Sequence, residues 1–214
     1  MPDFNKIFLF RITHLENIPH ILEYGITHIS SPNCNTVYVP LGDGSLINTR
    51  SAFAMTNGKR LGDYIPFYFG YRMPMLYVIL KGFNGVKAVA PKDIVYWITT
   101  VESVIQSGLE YVFTDGHAVD GFTGFFSPAE INNIETLIDK KAINEKYWAD
   151  ENDLDLKRRK EAEFLVLGDI SPEMVLGFAV YNEATGNLIQ QMPHFGNRKL
   201  IIKQEYYFWL WFIT

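Results

Sequence analysis

The chain has 214 residues, of which 48% are hydrophobic and 15% aromatic, and it carries a formal net charge of −5. This length and composition predict one folded domain over residues 1–214 and argue against an intrinsically disordered chain. The acidic balance argues against a protein that coats DNA nonspecifically, because phosphate binding needs a basic surface, although a local basic groove stays open. Cys34 is the single cysteine, so no disulfide framework exists, which favours a reducing cytoplasm.

Neither end of the chain carries a segment that predicts export or membrane insertion. Residues 1–4 lack the basic and apolar blocks of a signal peptide, and no apolar run approaches the roughly 20 residues of a membrane helix. Residues 206–214 are strongly apolar but only nine residues long, so we expect a buried last strand, with a membrane anchor as the less favoured alternative. These features predict a cytoplasmic protein without a membrane partner.

The first part of the chain predicts a strand, a helix cap and a helix in succession. Residues 7–12 are rich in β-branched and aromatic side chains, and Thr13 is placed to cap a helix over residues 15–24 that ends at Gly25. Backbone groups at such a joint can hold a polar ligand. The following residues 29–60 contain few periodic signals apart from a short helix at 45–50, and an irregular span of this length indicates a candidate lid or ligand clamp.

Residues 61–79 are the most aromatic part of the sequence. Pro66 and Pro74 bracket a predicted strand and a turn. Core packing explains part of this pattern, but Arg72 among tyrosines and methionines also offers a cation beside flat faces, where a planar ring can be gripped.

The second half of the chain alternates predicted strands with helices and turns. Strands are predicted at 94–99, 111–114, 164–167, 175–181 and 199–203, helices at 100–107 and 128–140, and a turn at 182–187. His117 follows the second of these strands, where a ligand contact and an ordinary loop histidine are equally good interpretations.

Two aromatic residues and a basic run precede the strand at 164–167. Tyr147 and Trp148 can stack bases while the run 157–160 meets phosphates, although the aromatics can equally fold under their own loop. Glu163 stands at the lip of the strand beside this run. The alternative without a binding role is that the whole stretch is a solvated charged loop that enters a core strand. No phosphate-binding glycine motif is present, and the histidines and Cys34 lack metal-ligand spacing, so we expect no metal.

Taken together, six segments in chain order resemble the DarT family of DNA ADP-ribosyltransferases, the toxins of toxin–antitoxin pairs. The segments are Phe10–His14 with Asn17 and Ile18, Leu41–Ile47 leading to Arg50, Asp63–Phe69 through Arg72–Tyr77, Phe113–His117, Tyr147–Asp150 and Lys157–Val166. The resemblance implies an α+β ADP-ribosyltransferase fold with a split central β-sheet core and peripheral helices. It implies transfer of ADP-ribose from NAD⁺ to a base of single-stranded DNA, with release of nicotinamide. The alternatives are an enzyme of the same fold that acts on RNA, a protein or a small molecule, and a catalytically dead binding module.

The resemblance also implies roles for individual residues. Glu163 is the expected catalytic glutamate and Arg50 the second essential residue, on the loop that folds over NAD⁺. The residues expected to contact NAD⁺ are Arg11, Ile12, Thr13, His20, Tyr68 and Met75. The residues expected to contact DNA are Arg72, His117, Tyr147, Trp148, Arg158 and Arg159. A toxin also needs an antidote, so we expect a cognate antitoxin with ADP-ribose-hydrolase activity.

Overall fold

One mixed eight-stranded sheet organises residues 1–208, the part of the chain that the computed structural model describes. Its strands are β1 Phe8–His14, β2 Tyr64–Tyr68, β3 Ile94–Thr100, β4 Tyr111–Thr114, β5 Phe125–Phe126, β6 Glu163–Leu167, β7 Gly177–Val180 and β8 Lys199–Ile202. The strand order is β5-β4-β6-β2-β1-β3-β7-β8, and every neighbouring pair is antiparallel except β7 and β8. The α+β class predicted from the sequence is confirmed.

Eight α-helices connect these strands within residues 1–208. They are α1 Ile18–Tyr24, α2 Gly44–Ala52, α3 Pro74–Lys81, α4 Val101–Ser107, α5 Ile134–Leu137, α6 Lys140–Asn144, α7 Leu156–Lys160 and α8 Glu183–Gln190. No helix in this part of the chain combines the length and the apolar character that crossing a bilayer requires.

The sheet is split between β1 and β2. These strands share only the pair Phe10–Tyr68, whereas β1 pairs with β3 from residue 8 to residue 14 and β2 pairs with β6 along its whole length. Nη1 of Arg11 donates a hydrogen bond to the Pro66 carbonyl at 2.9 Å, across the gap. The two halves of the sheet therefore diverge from a single joint, and a cleft opens between them.

Alternating side chains fill a core on each face of the sheet. Leu9 and Trp97 belong to one core, whereas their chain neighbours Phe10 and Tyr96 belong to the other, as the two-residue period of a strand requires. In β6, Phe164 and Val166 lie in the first core while Leu165 lies in a smaller third cluster. The predicted alternation of β6 is therefore confirmed.

Several local predictions match the structure because caps and periodicity specified them. The helix predicted at 100–107 is α4: Thr100 Oγ1 accepts a hydrogen bond from the Ser103 N–H, and Gly108 ends the helix with φ +71°. The short helix predicted in the irregular span is α2, and Asp43 Oδ1 caps it by accepting from the Ser45 N–H at 2.7 Å.

One predicted cap and one predicted turn were wrong. Thr13 lies in β1, and the side chain of His14 instead caps a 3₁₀ turn, Leu15–Asn17, that leads into α1. Residues 182–187 are not a turn, since α8 begins at Glu183. Asn182 Oδ1 accepts a hydrogen bond from the Thr185 N–H at 2.9 Å, so this asparagine starts a helix instead of making a loop.

Two longer segments also differ from the prediction. Residues 74–81 form helix α3, with Pro74 at its first turn and buried leucine and isoleucine side chains on one side. The helix predicted at 128–140 is broken into a 3₁₀ turn, α5 and the start of α6. The break occurs because Ile138 and Asp139 are extended and Asp139 caps α6 through the Ala142 N–H.

The basic run is helical, and a turn leads into the apolar tail. Residues 157–160 are not a loop but most of helix α7. Of the strand expected at 206–214, Tyr206 is instead the last residue of a 3₁₀ turn, Gln204–Tyr206, and residues 209–214 lie outside the described residues.

Candidate active site

A buried carboxylate stands at the joint where the sheet splits. Glu163 begins β6 opposite Tyr68 of β2, and its side chain is fully buried. Its backbone N–H donates to Thr114 Oγ1 at 2.9 Å, and its Oε1 accepts from the backbone N–H of Ala118 at 2.9 Å. Thr114 ends β4 and Ala118 follows the turn after it. The end of β4 and this turn therefore hold Glu163 in one orientation.

Arg50 reaches this carboxylate from helix α2. Its Nη1 donates to Glu163 Oε1 at 3.1 Å and approaches Oε2 to 2.9 Å with poorer alignment. None of the residues of α2 is fully buried, so the helix lies over the cleft as a lid. It rests on Gly62, where an added Cβ would stand 2.7 Å from the Ser51 Cα, so only glycine allows this close approach.

The ion pair leaves two polar atoms without a well-aligned hydrogen bond, although Oε2 keeps its 2.9 Å ionic contact with Nη1. Among residues 1–208, neither Glu163 Oε2 nor Arg50 Nη2 has a well-formed hydrogen bond, and both atoms are buried. Leaving a buried polar group unsatisfied costs about 1–3 kcal/mol. Oε2 can therefore accept a hydrogen bond from a ligand hydroxyl, and Nη2 can donate one to an anionic or carbonyl oxygen.

Tyr68 and Met75 lie beside the ion pair. Burial, together with the charge of Glu163, raises the pKa of Tyr68, so its phenol stays neutral. Its hydroxyl lies 4.0 Å from the Met75 Sδ, and Gly42, which precedes the lid, stands over the same sulfur. The structure therefore brings together Glu163, Arg50, Tyr68 and Met75, four of the residues predicted for the site.

The joint after β1 holds three further predicted residues, and Asn17, which was part of a segment that carries the resemblance but had no predicted role. Arg11 bonds across the split, Ile12 packs in the core that contains Tyr68, and Thr13 Oγ1 accepts from Asn17 Nδ2 at 3.1 Å. Asn17 also binds both backbone groups of Val39, through Oδ1 at 2.9 Å and Nδ2 at 2.8 Å. Asn17 therefore anchors the segment that leads into the lid, a role that depends on a partner 22 residues away and has no local signal.

His20 is engaged on helix α1. Its Nε2 lies 3.1 Å from Thr27 Oγ1, and its ring packs against Tyr24 with centroids 5.0 Å apart. Contact of His20, Arg11, Ile12 and Thr13 with NAD⁺ stays a prediction.

His117 lines a cavity of about 440 Å³ on the other side of Glu163. Burial lowers the pKa of His117, so its imidazole is neutral at pH 7. The other residues that line the cavity are Asp120, Phe122, Leu154, Asp155, Lys157, Arg158 and Glu161. Phe122, Leu154 and Glu161 were not predicted as site residues, and only their placement around this cavity draws attention to them.

Arg158 and Arg159 are held by carboxylates. Arg158 bonds Asp155 at 2.6 and 2.8 Å and Asp115 at 2.8 Å. Arg159 pairs with Asp139, Asp153 and Asp155. Both guanidinium groups thus fasten α7 to neighbouring loops, and their contact with DNA stays a prediction.

The three remaining predicted DNA contacts differ in exposure. Tyr147 is 70% exposed, with the Lys146 ammonium 5.3 Å from its ring centre. Trp148 is half-buried and packs edge-on against Tyr77 and Phe208, each at 5.5 Å, so the alternative of a folded-under aromatic applies to it. Arg72 donates to the Glu205 carbonyl at 3.0 Å. Within residues 1–208, no three or more His, Cys, Asp or Glu side chains gather closely enough to hold a metal ion.

A split α+β sheet with a buried glutamate at the joint and an arginine on an overlying lid is the arrangement expected of an ADP-ribosyltransferase that uses NAD⁺. The family model described as "ssDNA thymidine ADP-ribosyltransferase, DarT" matches residues 10–208. The chain belongs to the DarT family, and the expectation of a DNA ADP-ribosyltransferase with NAD⁺ as co-substrate is confirmed.

Relatives and solved structures agree with this assignment. A DNA ADP-ribosyl transferase of Thermus sp. strain 2.9 is 30% identical over 210 residues, covering 94% of this chain and 95% of the relative. The solved structure of Thermus sp. 2.9 DarT in complex with NAD⁺ matches with a TM-score of 0.75 and 29% identity, covering 97% of this chain and 99% of that chain. The structure of the same protein in complex with ADP-ribosylated ssDNA matches with a TM-score of 0.77 and 28% identity, covering 97% of this chain and 98% of that chain. A transferase–glycohydrolase fusion of Thermosipho africanus is 30% identical over 94% of this chain but only 49% of its own length.

Proposed function

We propose that this protein transfers ADP-ribose from NAD⁺ to thymidine in single-stranded DNA, with Glu163 and Arg50 as its catalytic residues. The observation that carries the proposal is the buried ion pair at the sheet joint, in which Glu163 Oε2 and Arg50 Nη2 make no well-aligned hydrogen bond within residues 1–208 and can each take one from a ligand. The thymidine target comes from the description of the family, and the sequence by itself does not specify a base.

Glu163 acts on the donor in this proposal. Breaking the bond between the ribose C1″ and nicotinamide develops positive charge on the ribose, and the nicotinamide leaves with the bonding electron pair. A carboxylate that is fixed before the reaction stabilises this charge without reorganising, and its free Oε2 can accept a hydrogen bond from a ribose hydroxyl. Tyr68 and Met75 line the cleft next to this carboxylate, where they would contact the nicotinamide ring.

Arg50 acts by its charge and its fork of donors. A guanidinium hardly ever gives up a proton, so removing a proton from the acceptor base is a poor role for it. Nη1 is engaged by Glu163, whereas Nη2 is free to hold an oxygen of the diphosphate or of the acceptor base. Arg11, Ile12, Thr13 and His20 are proposed to support the donor from the joint after β1.

The acceptor strand is proposed to cross the side of the cleft that His117 lines. Tyr147 is exposed enough to stack a base, and the next residue, Trp148, packs against Tyr77. Arg72, which donates to the Glu205 carbonyl, is proposed as a further contact. Arg158 and Arg159 would contribute chiefly by fixing α7, because acidic side chains already engage their guanidinium groups.

A partner that removes ADP-ribose from DNA is the proposed antitoxin. The Thermosipho africanus relative joins the transferase to a glycohydrolase in one chain, which supports a paired activity for this protein as well. Because DNA and NAD⁺ are both cytoplasmic in bacteria, we expect the two proteins to act in the cytoplasm.

A panel of oligonucleotides tests this function. The protein is incubated with NAD⁺ and single-stranded DNAs that contain or lack thymidine, with matched RNAs and with total protein, and the products are weighed by mass spectrometry. We expect a mass increase of one ADP-ribose on thymidine-containing DNA alone, and none with Glu163→Gln. Labelling of RNA or protein without labelling of DNA would contradict the proposal and favour another acceptor for the same fold.

A further inference from the structure

The turn that holds the Glu163 carboxylate also contributes to a cavity. His117 lines the cavity, and the next residue, Ala118, donates its backbone N–H to Glu163 Oε1. Its volume of about 440 Å³ is larger than a nucleic-acid base requires. The proposed path of the acceptor strand would bring a base into this cavity, next to the turn that holds the Glu163 carboxylate.

Three carboxylates line this cavity, and two of them are engaged. Asp120 Oδ1 accepts from the backbone N–H of Phe122 at 2.9 Å, and Asp155 pairs with Arg158 and Arg159. The side chain of Glu161 has no hydrogen bond or ion pair among residues 1–208, although the residue is only 8% exposed. A nearly buried carboxylate with no internal partner faces the cavity.

Charged groups surround Glu161 from three elements. Burial raises the pKa of this carboxyl to about 7, the charges of Glu163 and Asp120 add to the effect, and Lys157 and Lys160 oppose it. The Lys160 ammonium is committed to the carbonyls of Ile143 and Glu145, at 3.0 and 2.6 Å. The remaining titratable groups on the cavity wall are His117, Asp155 and Arg158.

The rim of the cavity suits a single-stranded nucleotide. Phe122 is 89% exposed and Leu154 is 90% exposed, so two apolar faces stand open to a base. Lys157 is also exposed, and within residues 1–208 no carboxylate lies at ion-pair distance from its ammonium, so it can meet a phosphate. Stacking faces and a cation are what single-stranded DNA sites combine.

We infer that Glu161 is the base that accepts the proton from the attacking nitrogen of the acceptor thymine. This inference rests on the proposed function. The one ring N–H of thymidine is the imide N3–H. As the bond between N3 and C1″ forms and the bond from C1″ to nicotinamide breaks, the electron pair of the broken bond leaves with nicotinamide. The N3 proton moves to the Glu161 carboxylate, which later releases it through the open cavity to water.

The other candidate groups are less suited to this proton transfer. Glu163 is paired with Arg50 and directed at the donor, and the guanidinium of Arg50 does not accept protons. Burial lowers the pKa of His117 and raises the pKa of Glu161, so the His117 imidazole is a weaker base than the Glu161 carboxylate. A general base works best when its pKa lies near the working pH, a condition that Glu161 meets.

The experiment measures single-turnover transfer to a thymidine oligonucleotide between pH 5.5 and 8.5. Wild-type protein should show a rate that rises with pH through about 7. In Glu161→Gln, the rate at pH 8 should fall about 100-fold and the rise should disappear, since a positioned base contributes at least that much. Glu161→Asp should keep the increase of the rate with pH, and both Glu161 variants should bind NAD⁺ as wild type does. Glu183→Gln, an exposed control on α8, should transfer ADP-ribose as wild type does.

The outcomes separate the two proposals. If wild-type protein does not label DNA at any pH, the proposed function itself fails. If wild-type protein labels DNA and Glu161→Gln keeps the wild-type rate, the role of Glu161 is wrong while the function stands. A Glu161→Gln protein that is slower by the same factor at every pH shows a structural role only. A rise that persists in Glu161→Gln and is lost in His117→Gln assigns the base to His117 and also overturns the inference.

Discussion

Glu161 should make the folded protein less stable as pH rises, and replacing it should reverse the effect. The carboxyl has an ordinary pKa of 4.5 and a pKa of about 7 in the folded protein, chiefly because it is buried. Between these two values the folded state binds more protons than the unfolded chain, so the free energy of unfolding falls with increasing pH. Above pH 7 the penalty is fully present, and below pH 4.5 it is absent.

The size of the effect follows from the same two values. A difference of one in pKa corresponds to about 1.4 kcal/mol, so the ionised carboxylate costs the folded protein up to roughly 3 kcal/mol at pH 8. Glu161→Gln removes the charge while it keeps the shape and the helix-terminal backbone. We therefore expect the variant to be more stable than wild type by up to this amount at pH 8 and equal to it near pH 4.5.

Urea unfolding of both proteins at pH 5 and pH 8 measures the difference. Glu183→Gln is the matched control, because this glutamate is exposed on α8 and should give the same small change at both pH values. An advantage of Glu161→Gln that is the same at pH 5 and at pH 8, or a loss of stability at pH 8, refutes the reasoning. Greater stability together with slower transfer would mark Glu161 as a residue kept for function.

Four further changes test the site and its supports. Glu163→Gln should weaken the bond between Arg50 and residue 163 by about 1.4 kcal/mol, because a neutral acceptor replaces a charged one. Amide hydrogen exchange in α2 should then quicken about tenfold while exchange in α4 is unchanged. Equal protection of α2 in the two proteins would contradict the role of the ion pair. Arg50→Lys should lower transfer with NAD⁺ binding intact, since an ammonium cannot replace the fork, and near-normal transfer would show that charge alone is enough. Lys160→Met should lower the free energy of unfolding by about 1–3 kcal/mol in a urea titration, because two carbonyls lose their donor, and a wild-type midpoint would refute this. Tyr147→Ala should weaken binding of single-stranded DNA by about 1–3 kcal/mol in a fluorescence titration while NAD⁺ binding is unchanged, and unaltered DNA affinity would remove this residue from the proposed path.

The predictions that succeeded depend on local signals. The run from β3 through α4 to β4 was predicted correctly because β-rich composition, a capping threonine and a closing glycine specify it within about 20 residues. The facing of β6 was also correct, since Phe164 and Val166 share one side. The failures arose where one local signal has two meanings. Asn182 and Gly186 indicate a turn, but Asn182 is a helix cap and Gly186 is a helical residue packed close to Leu200.

The site itself depends on contacts that no local pattern contains. Glu163 and Arg50 meet across 113 residues, and the sequence linked them only through the resemblance to a family. The basic run was taken for a DNA-facing surface because its charges are concentrated. Its two arginines also pair with carboxylates, one of which, Asp115, lies 43 residues from Arg158 in the chain, and their contact with DNA stays a prediction. Whether a charge is free depends on tertiary partners, and composition does not report them.

Closure of the lid and binding of the donor are coupled by the two unsatisfied atoms. Helix α2 has no fully buried residue, so burial of apolar surface contributes little to holding it over the cleft, and the ion pair between Arg50 and Glu163 carries much of the attachment. Without ligand, the closed arrangement buries Nη2 with no hydrogen bond within residues 1–208 and leaves Oε2 with only its ionic contact to Nη1, so part of the gain from the ion pair is offset. A ligand that binds both atoms removes that penalty only in the closed state, so it shifts the lid toward closure. The same arrangement that presents the carboxylate to the ribose therefore makes lid closure depend on the donor.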